Sequence, residues 1–186
     1  MKKIFNLYNL FRLTLIVVMA IIVLDCTSEK YKETTDETLN ITEFLKANEE
    51  YSLFLEILDV TGYASFMNTY GTYTLFLPTN EAINQLLNEL GVNSVNDIPL
   101  EDLQEIAKLH ILPESVNTTS FTDGKIASPS LQGQFIITGA AFIDGASNIT
   151  VNKIARITNS NIIVGNGIIH VLDKVLRVAN KTLAKT

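Results

Sequence analysis

Tyr73-Thr-Leu-Phe-Leu-Pro-Thr-Asn-Glu-Ala-Ile83 holds a strand, a stop and a helix start in direct succession. Tyr73 to Leu77 are aromatic, β-branched or large aliphatic residues, preceded by Gly71, and Pro78 has no amide proton with which to continue a ladder. Thr79 or Asn80 can then supply an N-cap oxygen, and Glu81 places negative charge at the positive end of a helix. Ile83, Leu86, Leu87 and Leu90 form one apolar stripe, which ends before Gly91. The stretch predicts a buried strand, a turn and a capped helix.

Upstream of it, Ile41, Phe44, Leu45, Leu53, Phe54, Ile57, Leu58 and Val60 recur at three- and four-residue steps until Gly62, the spacing of amphipathic helices. Downstream, Leu100 to Leu109 repeats that spacing through Leu103, Ile106 and Ala107, with His110 closing the helix before Ile111, Leu112 and the Pro113 break. The period then changes. Phe135–Thr138, Ala141–Ile143, Ile149–Val151, Ile154–Ile157, Ile162–Val164 and Ile168–Leu172 are short β-type runs separated by Gly, Asn and Asp turns. Thr118 to Pro129, rich in Ser, Thr, Gly and Lys, reads as a surface loop, most simply a solvated connection and alternatively a place for a partner to touch. Helices early and a strand meander late make an α+β chain.

Three of these stretches together resemble the fasciclin (FAS1) family. The run from Tyr73 to Ile83 resembles its first signature through Leu75, Phe76, Pro78, Thr79, Asn80 and Glu81. Leu109-His110-Ile111-Leu112 stands where the family has a Tyr-His segment, and Asn166-Gly-Ile-Ile-His-Val-Leu-Asp-Lys-Val-Leu176 is similar to its second signature through Asn166, Gly167, His170 and Asp173. The resemblance runs from Ile41 to Asn180. It implies a wedge of two short β-sheets with helices packed along one side, in which the signature residues are mainly structural. In animal relatives an Asp-Ile dipeptide shortly before the second signature and the Tyr-His segment are linked to integrin adhesion. The equivalent positions here are Asn161-Ile162 and Leu109-His110, so Asn161, Ile162 and His110 become the candidate partner contacts, without the family's charged and aromatic members.

The N-terminal region supplies a compartment. Lys2, Lys3 and Arg12 flank Leu13 to Leu24, an apolar run too short for the roughly 20 residues a membrane-spanning helix needs. It fits a secretory signal, residues 1–25. Cys26, the chain's single cysteine, follows it and resembles the acylated cysteine of bacterial lipoproteins, with Asp25 where that pattern has a small residue. Residues 26–40, polar and charged, read as a tether, residues 41–180 as the folded domain and 181–186 as a tail. The expected location is therefore the bacterial envelope, at the outer membrane, with a membrane contact through the lipid on Cys26.

Charge and residue types narrow the function. Without residues 1–25 the chain keeps 14 − 3 = 11 basic and 20 − 1 = 19 acidic residues, a formal charge of −8, which gives nucleic acid no electrostatic foothold. His110 and His170 are the only histidines and belong to no catalytic or metal-binding motif; neither an enzyme, a metal nor a cofactor is expected. Glu101-Asp102 with Glu105, and Asp173 with Lys174, read as solvated surface charge. The signal, Cys26, the tether and the resemblance to the fasciclin family together imply an envelope-anchored adhesion or interaction module for a protein or matrix partner. The alternative is a glycan-binding accessory of a polysaccharide uptake system, which would have to stack sugars on Tyr63, Tyr70 or Tyr73, since the chain has no Trp.

Overall fold

The structure, a computed structural model, describes residues 39–69, 71–143 and 146–177, all within the compact unit Thr35–Thr186. The signal, Cys26 and Tyr70 lie outside the described residues.

The helical half opens with α1 (Ile41–Ala47), fixed by a capping box in which Asn40 accepts from the Glu43 amide and Glu43 accepts from the Asn40 amide. The apolar pattern read as amphipathic helices divides here: Asn48 is extended, a 3-10 turn spans Glu49–Tyr51, and α2 (Ser52–Val60) follows. Gly62, at φ +81, turns the chain into the short α3 (Tyr63–Met67). β1 (Tyr73–Pro78) runs one residue beyond the expected Leu77, with Pro78 opposite Leu172. In α4 (Asn80–Leu90) the cap is Thr79, whose hydroxyl accepts from the Ala82 amide, and Gly91 at φ +65 ends the helix. Asn80 instead ties this helix to the previous ones, accepting from Leu53 N and donating to Glu49 O and Ser52 Oγ. α5 (Leu100–Leu109) leads into the two-residue β2 (Ile111–Leu112).

The strand half comprises β3 (Gly124–Pro129), β4 (Phe135–Ile143), β5 (Ala146–Val151), β6 (Ala155–Val164) and β7 (Gly167–Leu172). Hydrogen bonding gives the order β2-β1-β7-β6-β5-β4-β3. The two sheets expected from the sequence are thus joined. β6 is the joint: its first residues, Ala155 and Arg156, pair with β5, and its length from Ile157 to Val164 pairs with β7 through two register shifts. The supposed loop at Thr118–Pro129 is half strand, because Ile126 alternates inward between exposed Lys125 and Ala127 on β3.

The signature strands β1 and β7 are paired in parallel and buried along their whole length. Alternation divides their side chains between two cores. Leu75, Leu77, Ile169 and Val171 join the helices, while Phe76 and Leu172 join Leu109, Leu112, Ile136, Val151 and Leu176 on the other side. Each such large apolar side chain contributes roughly 1.5–3 kcal/mol when fully buried. The two strands approach so closely at Gly167 that a Cβ there would lie 1.9 Å from the carbonyl oxygen of Tyr73.

Candidate functional site

Between β2 and β3 the chain crosses the sheet and is pinned there by three polar side chains. The Thr74 hydroxyl accepts from Val116 N at 2.8 Å and donates to Glu114 O at 2.7 Å. His170 donates from Nε2 to Val116 O at 2.9 Å, because its Nδ1 is occupied as the acceptor of the Asn161 amide at 3.2 Å. Asn161, held at φ +59 in a bulge of β6, accepts from Thr118 N at 2.9 Å and donates to the Thr118 hydroxyl at 2.7 Å. Just beyond, Phe121 packs against the rings of His170 and Phe76, at 5.3 and 6.3 Å between centroids.

This pinned segment is one wall of a cleft of about 420 Å³. Glu114, Ser120 and Phe121 face Lys125, Ile126 and Thr138 across it. Lys125 also places its ammonium 4.4 Å from the ring centroid of Phe135, which joins the cleft to the outward face of β4. On that face Phe135 and Ile137 are 43% and 44% exposed, two large apolar side chains in alternate positions with no core to cover them. The arrangement offers a polar cleft, a cation and an apolar ledge, which suits binding. Among the described residues no group of three or more His, Cys, Asp or Glu is placed to hold a metal ion, and no helix is long and apolar enough to cross a membrane.

Several sequence expectations are corrected by this geometry. His110 is wholly buried: Nε2 accepts from Leu176 N at 3.0 Å and Nδ1 donates to Ile106 O at 2.7 Å, so it presents nothing to a partner. Burial pushes its pKa down to about 4 against a smaller opposing pull from the Ile106 carbonyl, and His170 is lowered for the same reason against Val116. Both imidazoles are neutral, locked in opposite tautomers. Asn161 uses its side chain to hold Thr118 in the cleft wall, and Ile162 is half-buried against the helix-side core, so neither side chain is presented to a partner. Asp102 is buried in the first turn of α5, and Asp173 binds Arg156 through both its backbone amide and its guanidinium; neither is merely solvated charge. Tyr73 is buried and unavailable for sugar stacking. Phe121 and Lys125 fall in the stretch Thr118–Pro129 that the sequence offers as a contact loop, whereas no motif marks Phe135 or Ile137 as site residues. Only the alternation around Ile136 carries a signal for them.

The Fasciclin domain family model matches residues 49–178. Periostin from Homo sapiens is 31% identical over 137 residues, covering 74% of this chain and 16% of periostin. Protein sll1483 from a Synechocystis species is 26% identical over 146 residues, covering 76% of this chain and 75% of that protein. The transforming growth factor-beta-induced protein ig-h3 of Sus scrofa is 29% identical over 142 residues, 76% of this chain and 20% of the relative. The chain thus spans a small part of the two animal relatives and most of the cyanobacterial one. In fold it is similar to a FAS1 domain pair from the insect cell adhesion molecule fasciclin I, with a TM-score of 0.61 at 14% identity over 75% of this chain and 51% of that one.

Proposed function

We propose, because this chain belongs to the fasciclin domain family, that it is a non-catalytic interaction module held at a bacterial envelope, which binds a protein or matrix partner along β3 and β4. The observation that carries the reading is the ledge of Phe135 and Ile137 joined through Lys125 to a cleft whose wall is held by His170 and Asn161. A binding face benefits from such preorganisation, since an ordered wall loses little entropy when the partner arrives. The adhesion role stated for the insect protein of similar fold supports the same direction. The signal at residues 1–25 and acylation of Cys26 would supply the attachment, at the outer membrane.

The glycan reading loses one of its three tyrosines to the core and has Tyr63 packed edge-on against Phe66, so we favour a protein or matrix partner. The test is capture of envelope proteins and matrix polymers by the full chain and by Ile137→Asp. Loss of a captured partner in the variant, with an unchanged melting temperature, is the expected result. Equal capture by both would remove β4 as the binding face.

A further inference from the structure

We propose that α3 and its surroundings form a second contact surface, one that rests on the lipid bilayer in which the chain is anchored. The inference depends on the lipid anchor at Cys26 and goes beyond it by saying which face of the domain meets the membrane.

The first described residues lie at α3. Gly165 N donates to Leu39 O at 2.8 Å, Ile41 N donates to the Asn166 side chain at 2.8 Å, and the same side chain donates to Met67 O, the last residue of α3, at 2.7 Å. Thr42 adds a bond to Ala64 O at 3.3 Å. The chain that leads back to Cys26 therefore departs beside α3. Only residues 27–38 separate Cys26 from Leu39, and 13 residue steps span at most roughly 45 Å even when fully extended.

The surface found at that exit differs from the rest of the domain. Residues 60–80 contain no Asp, Glu, Lys or Arg, although residues 26–186 carry 19 acidic and 11 basic side chains. Val60 is 45% and Phe66 42% exposed, and the Phe66 ring is held between Tyr63 and Tyr73 at 5.9 and 5.7 Å. Exposed Gly62, Ser65, Asn68 and Thr69 surround them. Asp59 and Glu43 border the patch, the latter already accepting from the Asn40 amide. An acidic domain would be repelled from anionic headgroups on most of its surface, and an uncharged aromatic patch is where that repulsion is least. Aromatic side chains with polar neighbours suit the boundary between headgroups and acyl chains. A tether this short raises the local concentration of membrane, so weak intrinsic affinity is enough. The other apolar ledge, Phe135 and Ile137, is reached from the far end of β7, through Asp173 to Arg156 and on through Asn152 to Ile137 O, and stays available to a partner.

The chain has no Trp, so Phe66→Trp introduces a single site-specific fluorophore, and Phe135→Trp does the same on β4. Each full-length, acylated protein is reconstituted into phosphatidylethanolamine and phosphatidylglycerol vesicles with and without brominated acyl chains, after its flotation with the vesicles is measured. We expect both variants to float, with the indole emission of Phe66→Trp blue-shifted and quenched at least twofold by the brominated lipid and that of Phe135→Trp unchanged. Flotation with the Phe66→Trp variant no more quenched than the Phe135→Trp variant overturns the inference and leaves the anchor standing. Failure to float removes the anchor and the inference together.

Discussion

Two extended pairs in this fold have opposite tasks. The β1–β7 pair is buried on both faces, its two strands carry both signature motifs, and no residue of it is free to meet anything outside. The β3–β4 pair is buried on one face only, includes a register shift between Lys125 and Pro129, and shows Phe135 and Ile137 to solvent. The first pair identifies the family, and the second has the means to select a partner. A motif recognisable across distant relatives marks what the fold requires, so it points away from the surface that distinguishes one member from another. His170 bridges the two: it stands in the signature strand and holds the cleft wall through Val116.

Gly167 is the most sensitive point of the buried pair. Gly167→Val puts side-chain carbon 1.9 Å from Tyr73 O at φ +155, and the expected loss exceeds about 4 kcal/mol, seen as absence of a cooperative melt. A normal melting curve would show that the parallel pair tolerates separation. Next in size is the pH response. His110 has a folded pKa of about 4 against an ordinary 6.5, so its contribution is fully present above pH 6.5 and is lost as the pH falls towards 4. The loss is about 3 kcal/mol. Urea denaturation between pH 7 and 4 should therefore show a flatter decline in His110→Gln than in the unmodified chain, and parallel curves would sink the assignment. Asn161→Ala comes third. It leaves the Thr118 amide without its acceptor at a cost of about 1–3 kcal/mol, and should speed amide exchange in residues 116–121 while weakening partner capture. Unchanged exchange there would mean that the cleft wall holds without it. The smallest effect on stability belongs to Ile137→Asp, within about 0.5 kcal/mol, although it should abolish capture. A large drop in melting temperature would place Ile137 in the core after all.

Much of the first pair is legible in the sequence because its signals are local. Pro78, the Thr79 cap and the unbroken apolar runs each act within a few residues, and fix β1, α4, α5 and β7 closely. The cleft is not legible, since its wall depends on bonds between residues 43 and 54 positions apart, Asn161 to Thr118 and His170 to Val116. β3 is hidden for a related reason: an edge strand with one inward apolar residue and a terminal Pro has the composition of a loop. The expectation that His110 meets a partner rests on its place in a family contact motif, whereas its ring is engaged inside the fold by the Leu176 amide, 66 residues away, and by Phe54.

A lipid anchor before residue 39 and a partner on β4, as proposed, would load the sheet mechanically. Tension applied at residue 39 enters the sheet at Gly165 and Asn166, just past the end of β6, while tension from a partner on β4 arrives through Asn152 and the Val151–Ala155 pair at its start. β6 would then be pulled along its axis from Ala155 to Val164, which loads its bonds to β7 in shear. Of the two register shifts in that strand, the one at Asn161 is the one to which the cleft wall is fastened.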